Sequence, residues 1–261
     1  MRIVVCIKQV PDTTDVKLDK DTNTLIREGV PSIINPFDMY ALEEGIRLTG
    51  RLGGTVTVLS MGPPQVESAL REALAMGCNE AVLLSDRAFA GADTLATSYA
   101  LAAAVSKLGG ADLIICGKQA IDGDTAQVGP GIAELLDIPH ASYVKRVAEV
   151  GEGSIQVHRM TEYGYDVLEL PLPALITVVK EINEPRLPTL RGLMRSRTAP
   201  VTVWGATELG VDPERVGLKG SATEVVRVFT PELRGDCELL AGSALEQAEG
   251  LLERLRRAGA V

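Results

Sequence analysis

Residues 113–130 read Leu113-Ile114-Ile115-Cys116-Gly117-Lys118-Gln119-Ala120-Ile121-Asp122-Gly123-Asp124-Thr125-Ala126-Gln127-Val128-Gly129-Pro130, and their order decides the fold. The first four form an apolar run that reads as a buried strand. Val128 opens a helical spacing continued by Ile132, Leu135 and Leu136. A strand that passes through a turn of small residues into a helix leaves the helix's first N–H groups free. Those groups and the helix dipole favour an anion such as a phosphate or pyrophosphate. Gly123 lets the backbone approach a ligand, Asp124 or Thr125 can cap the helix, and the Thr125 hydroxyl can also donate to phosphate. The loop is neither G-x-G-x-x-G nor a Walker A sequence. Spacing alone therefore leaves two readings open, a nucleotide site and a well-capped crossover with no ligand.

Outward from this stretch, residues 2–140 alternate between strand and helix patterns. Ile3-Val4-Val5-Cys6-Ile7 is an apolar run suited to a strand covered on both faces. Asn35-Pro36-Phe37-Asp38 reads as a helix start, with Asn35 as cap, Pro36 in the first turn and Asp38 reaching back. Strands follow at residues 56–59 and 81–84, with a helix between them bearing Val66, Ala69, Leu70 and Ala73 on one face and ending at Gly77. Residues 93–107 are an Ala-rich helix. The rhythm predicts an α/β fold, a Rossmann-like parallel sheet with helices on both faces. In such sheets ligands sit beyond the carboxyl ends of the strands. The loops there, residues 8–11, 60–63, 85–94 and 117–127, point to one crevice.

Near Ser142 the rhythm changes. Gly151-Glu152-Gly153 is a hairpin signal, and residues 165–170 and 175–180 complete a β-rich extension, antiparallel or mixed. Residues 183–195 carry apolar side chains, two prolines and three arginines without a steady period, and read as a surface loop. Exposing Leu187, Leu190, Leu193 and Met194 is unfavourable unless a partner covers them or the loop folds back. Residues 200–240 read as irregular, with Trp204 and the 225–229 run as apolar segments lacking sequence neighbours to bury them. Ser243-Ala244-Leu245-Glu246 is a capping box, and Leu245, Ala248, Leu252 and Leu255 form a narrow stripe on a terminal helix. The expected division is an α/β nucleotide- or flavin-binding domain over residues 1–183, then a partner-recognition loop and irregular C-terminal arm over residues 184–261.

The 261 residues are 46% hydrophobic with a net charge of −9, which argues against a general nucleic-acid binder. No apolar run approaches the roughly 20 residues of a membrane span. The first strand leaves no room for a signal peptide, so a cytoplasmic protein is expected. The 4 cysteines, Cys6, Cys78, Cys116 and Cys237, lack C-x-x-C spacing, and the 2 histidines give no metal pattern. Cys6 and Cys116 read as small buried thiols. No nucleophile–base pair or paired-carboxylate set stands out.

Taken together, several of these stretches resemble the β subunit of electron-transfer flavoproteins, over nearly the whole chain. They are Val5-Cys6-Ile7-Lys8-Gln9-Val10-Pro11-Asp12, Asn35-Pro36-Phe37-Asp38, Ala73-Leu74-Ala75-Met76-Gly77 and residues 117–130. The family's signature region falls at residues 157–177, with Arg159, Glu162, Gly164, Leu168 and Pro173 in place. Asp166 stands where the pattern usually has Glu or Gln. Asn183-Glu184-Pro185-Arg186 followed by Thr189-Leu190 resembles the loop that grips acyl-CoA dehydrogenases.

The resemblance implies a heterodimer whose α subunit carries an electron-shuttling FAD. It implies a second nucleotide in the crevice here, structural AMP in some members and a second FAD in the electron-bifurcating ones. In the latter the β-subunit FAD accepts hydride from NADH. One electron passes to ferredoxin or flavodoxin and the other, through the α-subunit FAD, to an acyl-CoA dehydrogenase. NADH oxidation would belong to the α/β complex only. The forms of residues 90–97 and 122–130 are similar to those of the bifurcating group, and AMP is the alternative. The cofactor residues so implied are Cys6, Lys8 and Val10; Asn35 and Asp38; Ser60, Met61 and Gly62; Asp93, Thr94 and Thr97; and Gly123, Asp124, Thr125, Ala126, Gln127, Val128 and Gly129. Thr94 and Thr97 lie one turn apart and can both offer hydroxyls; an N-cap and a solvated Thr are their plainer reading. Asp38 is placed either for a ribose hydroxyl or for the capping box. The partner residues implied are Arg186, Leu187, Leu190, Arg191, Leu193, Met194 and Arg195, with the arm wrapping the α subunit. A stand-alone nucleotide-binding module would have no use for such an arm. An ATP-pyrophosphatase would need a Ser-Gly-Gly-x-Asp-Ser loop where Lys8-Gln9-Val10-Pro11-Asp12 stands.

Overall fold

The structure, a computed structural model, describes residues 1–12, 32–226 and 239–261. The N-terminal apolar run forms β1 (Arg2–Cys6), and β2 (Gln9–Pro11) and β3 (Ser32–Ile34) make a short antiparallel pair. There follow α1 (Pro36–Leu52), β4 (Thr55–Met61), α2 (Glu67–Met76), β5 (Glu80–Leu84), α3 (Thr94–Lys107), β6 (Leu113–Gly117) and α4 (Val128–Leu135). A meander of β7 (His140–Val150), β8 (Ser154–Thr161) and β9 (Gly164–Pro171) comes next, then β10 (Ala174–Val178). The chain continues through α5 (Leu190–Thr198), β11 (Val201–Trp204), α6 (Ala206–Leu209) and α7 (Ala244–Arg257).

The local signals act as read. Gly77 closes α2 with φ +139°, a backbone open to glycine and strained for other residues. The Gly151–Gly153 turn joins β7 to β8 antiparallel, and Ser243 and Glu246 form the capping box of α7.

The main sheet has strand order β11-β5-β4-β1-β6-β10-β7-β8-β9, parallel from β11 to β7 and antiparallel beyond. Along β1, side chains alternate between two cores. Ile3 and Val5 pack with Leu42 and Ile46 of α1 and Leu70 and Leu74 of α2. Val4 and Cys6 pack with Leu101 and Val105 of α3 and Ile132 of α4. Successive strands run outward from β1 to β4 and β5; the chain then crosses the opposite face through α3 and returns beside β1 as β6. The winding reverses between β1 and β6, so a crevice opens beyond their carboxyl ends.

The described residues fall into two compact units, Met1–Val226 and Arg227–Val261. Part of the stretch read as loop and arm is regular. Residues 190–198 are helical and Trp204 ends β11, an edge strand paired in parallel with β5. Period analysis misses α5 because the helix is built inside out. Its buried residue is Ser196, whereas Leu190, Leu193 and Met194 are exposed. Gly192 gives the close approach: a Cβ there would lie 2.1 Å from the Ala75 carbonyl oxygen of α2. Trp204 packs against the second core, with the Lys107 ammonium 5.3 Å from its ring. Of the 225–229 run, residues 227–229 lie outside the described residues, as does Cys237.

Two arginines lock α5 to α2. Arg195 donates to the Leu74 and Cys78 carbonyls at the end of α2, and Arg71 of α2 donates to the Ser196 carbonyl at 2.6 Å and to the Ala199 carbonyl. Each helix thus supplies a cation to the other's orphaned C-terminal carbonyls. Arg195→Met should cost about 1–2 kcal/mol in urea unfolding, the range for partly exposed charge-assisted bonds. Arg191→Met, which breaks no bond among the described residues, should change stability by less than about 0.5 kcal/mol. Equal effects of the two would show that the carbonyl contacts are not stabilising.

Candidate functional site

The expected site residues lie at or beyond the carboxyl ends of β1, β3, β4, β5 and β6, several held by means other than those read from sequence. The Asn35 side chain does not cap α1. Its Nδ2 donates to the Gln119 carbonyl at 2.8 Å and its Oδ1 accepts from Ile121 N–H at 3.1 Å, so a fully buried amide pins the loop after β6. Asp38 forms no capping box, because Asn35 N–H donates to the Lys8 carbonyl. One Asp38 oxygen accepts from Lys8 N–H at 2.7 Å and the other from Gly117 N–H at 3.2 Å. The carboxylate ties the exits of β1 and β6 together, and it is buried. Lys8 Nζ pairs with Asp122 at 2.6 Å, closing the same loop from outside.

Around this frame, Ser60 Oγ donates to the Ile7 carbonyl at 2.8 Å and Gly62 N–H to the Leu84 carbonyl, fixing the turn after β4 with Met61 between them. Cys6 and Cys116 are free, buried and paired across adjacent strands; their mutual hydrogen bond and burial hold the Cys116 thiol well above its ordinary value. They are small buried thiols, as read. Val10 is buried in the β2–β3 pair.

Neither Asp124 nor Thr125 caps α4; the N-cap position is Gln127, with no side-chain bond to the helix. The loop turns too sharply for the earlier start, with Asp124 and Ala126 at φ +53° and +55°. Positive φ at two non-glycine residues stores strain of a kind that collects at ligand-binding loops. Asp124 is steadied by Gln119 and by its N–H bond to the Ala120 carbonyl. Among the described residues, the N–H groups of Thr125, Ala126, Gln127, Val128 and Gly129 have no protein acceptor. Gly129 lets this turn lie against β10, since a Cβ there would come within 2.6 Å of Thr177 Cγ2. Asp93 caps α3 through Leu95 and Ala96 N–H, Thr94 Oγ1 donates to Gln127 Oε1 at 2.9 Å, and the Thr97 hydroxyl has no partner among the described residues. Five free donors at the start of a helix, with open space around Gly123, fit the phosphate of an adenine nucleotide.

Sequence reading missed a recess of about 530 Å³ beside Lys118, lined by Phe37, Tyr143, Met160 and Val179 among others. The Lys118 ammonium lies 4.9 Å from the Phe37 ring centre and 5.7 Å from that of Tyr143. Tyr143 has φ +59°, at a bulge where β7 passes β10. No local signal marks a tyrosine for that conformation.

The expected partner residues divide. Arg186 pairs with buried Glu43 at 2.7 Å, and Asn183 Nδ2 donates to the Tyr40 carbonyl and to Glu44, so this motif anchors the chain on α1. Arg195 is engaged by α2, as described above. The arginines expected to frame the apolar residues are thereby reduced to Arg191. Leu187, Leu190 and Met194 stand 87%, 75% and 65% exposed. No helix among the described residues is long and apolar enough to cross a membrane.

Comparison with known proteins completes the picture. Residues 22–209 match the electron transfer flavoprotein domain model. The chain is 54% identical to the electron transfer flavoprotein subunit beta of Thermoanaerobacterium thermosaccharolyticum, over 98% of both chains. The chain belongs to the electron-transfer flavoprotein β-subunit family. It is also 49% identical to the caffeyl-CoA reductase–Etf complex subunit CarD of Acetobacterium woodii, over 97% of this chain and 96% of that one. To the protein FixA of Azotobacter vinelandii it is 51% identical, over 90% and 85%. Membership in this electron-transfer flavoprotein family implies an α-subunit partner and, in general terms, a flavin or AMP-type ligand.

Asp38 makes the family crevice pH-sensitive. Burial raises its carboxyl from 3.8 to about 7, against the lowering effect of the Lys8, Asn35 and Gly117 bonds. Because the folded value lies above the unfolded one, its stability contribution is full below pH 3.8 and is lost as pH rises through about 7. The unfolding free energy of the wild type relative to Asp38→Asn should fall by about 2–3 kcal/mol between pH 5 and 8. A difference independent of pH would mean that Asp38 is as easily ionised folded as unfolded.

Proposed function

We propose that this chain is the β subunit of an electron-bifurcating electron-transfer flavoprotein. With an α subunit it binds FAD in the crevice beyond β1 and β6. The complex oxidises NADH and delivers electrons to ferredoxin or flavodoxin and, through the α-subunit FAD, to an acyl-CoA dehydrogenase. The observation that carries the reading is the run of free N–H groups from Thr125 to Gly129, at the end of the loop that begins at Lys118. When bound, FAD supplies the means to accept a hydride and pass its electrons on singly; the protein supplies position and electrostatics. The 125–129 donors hold the phosphates, and Thr97 offers a free hydroxyl. In this reading the recess lined by Phe37, Tyr143 and Met160 takes the isoalloxazine, a second ring system that AMP lacks. Structural AMP, the second reading, would use the same donors and leave the recess unused. A relative named as part of a caffeyl-CoA reductase–Etf complex supports an acyl-CoA-processing partner.

Residues 184–261 serve the partners in this proposal. Leu190, with Leu187, Leu193 and Met194, is the apolar anchor for the dehydrogenase. The stripe of α7, none of whose residues is buried, is for the α subunit.

The flavin content of the purified heterodimer tests the reading: two flavins per α/β pair are expected, and one flavin plus AMP would replace it with the second. Leu190→Ala should slow electron delivery to the dehydrogenase about tenfold, the effect of losing an interface anchor, and leave NADH reduction of the flavin unchanged. Loss of both steps together would make the residue structural.

A further inference from the structure

Asp93 does more than cap a helix. Oδ1 alone satisfies the start of α3, accepting from Leu95 N–H at 2.9 Å and Ala96 N–H at 3.0 Å. Oδ2 accepts the Thr223 N–H at 2.9 Å and its hydroxyl at 3.1 Å, from a segment 130 residues away. Asp93 N–H donates to Ser221 Oγ at 2.8 Å, and Ser221 Oγ also reaches the Gly217 carbonyl. The segment lies close along its whole length. Leu218 N–H donates to the Ala90 carbonyl, and a Cβ on Gly217 would fall 2.1 Å from the Ala88 carbonyl oxygen.

The other side of the same helical turn holds the nucleotide loop. Thr94 Oγ1 donates to Gln127 Oε1, and Ser98 Oγ reaches the Thr94 carbonyl at 2.6 Å and the Val128 carbonyl at 3.2 Å. The first turn of α3 is thus shared between residues 217–223 and the run of free N–H groups that ends at Gly129.

We infer that residues 217–223 are a latch on Asp93 whose docking sets the geometry of the 125–129 donors, so that nucleotide affinity and latch docking are linked. The inference rests on the proposed nucleotide role of that loop. Coupling of this kind is reciprocal: if the docked latch tightens the nucleotide, the nucleotide tightens the latch by the same factor. Ser221 and Thr223 are positioning residues that act through Asp93 and Thr94. The latch is also the last part of the first unit before residues 227–261. A partner bound to those residues is therefore joined by the chain to the latch, which reaches the nucleotide loop through the hydrogen bonds of Asp93, Thr94 and Ser98.

Hydrogen–deuterium exchange and AMP titration on the full chain, in complex with the α subunit, test this. In the wild type, AMP should slow exchange at residues 123–129 and also at 218–223. The double variant Ser221→Ala/Thr223→Val should bind AMP five- to tenfold more weakly, with faster exchange at residues 95–96. Protection at 123–129 with none at 218–223 would overturn the latch and leave the nucleotide reading standing. Unchanged AMP affinity in a folded double variant would do the same, even if exchange at 95–96 rose, as a purely structural role would allow. No protection at 123–129 would overturn the nucleotide reading itself, and the latch with it. The wild-type measurement decides the matter if the variant does not fold.

Discussion

The Asp38 carboxylate, accepting Lys8 N–H with one oxygen and Gly117 N–H with the other, is the pair of bonds around which the crevice is built. Strands β1 and β6 leave the sheet side by side, and their chains then part, one toward β2 and one toward α4. At that fork the β1–β6 ladder ends, and both N–H groups would be left half-buried without acceptors. An unsatisfied buried donor costs about 1–3 kcal/mol, so a carboxylate serving two at once is tolerable even though burial makes its charge unfavourable. Asn35 applies the same device one layer out, pairing with residues 119–121 as a strand would. With both in place the loop is held by its first half. Its second half is left with unmatched donors.

The far side of the first unit follows a different logic. Glu43 and Glu44 are buried acids on α1, and Arg186 and Asn183 reach them from the segment after β10. Arg195 and Arg71 exchange caps between α5 and α2. Polar contacts therefore hold this segment down, and its apolar side chains are left outside. That inversion explains how a short helix can be firmly placed and still present Leu190 and Met194 to solvent.

Much of this was legible in sequence, and the rest was not, for particular reasons. The apolar run of β1, the glycine stop of α2, the hairpin at Gly153 and the capping box at Ser243 are local signals that nothing in the tertiary structure overrides. The crevice was legible too, because it follows from strand order. What failed were assignments in which a local role competed with a distant one. Asn35 and Asp38 carry the residue types of a capped helix start, but the donors that claim their side chains lie about 80 residues on, at Gly117 and in residues 119–121. The helix at residues 190–198 was missed because its inner face is Gly192 and Ser196, and a search for apolar period looks for the opposite. Tyr143 had no signal at all, since its conformation is imposed by the bulge against β10.

The position of β10 also bears on how the protein is made. This strand lies between β6 and β7 in the sheet, although the whole β7–β9 meander precedes it in the chain. A nascent polypeptide emerging from the ribosome thus exposes the complete 117–130 stretch well before the strand that supports it exists. Gly129 rests against Thr177, and Lys118 N–H donates to the Val178 carbonyl. A chain halted before Ala174 would carry every residue of the loop and still lack the surface that shapes it. The loop therefore gains its support only once synthesis has passed Val178, when a strand inserted late fills the gap left between two that came before it.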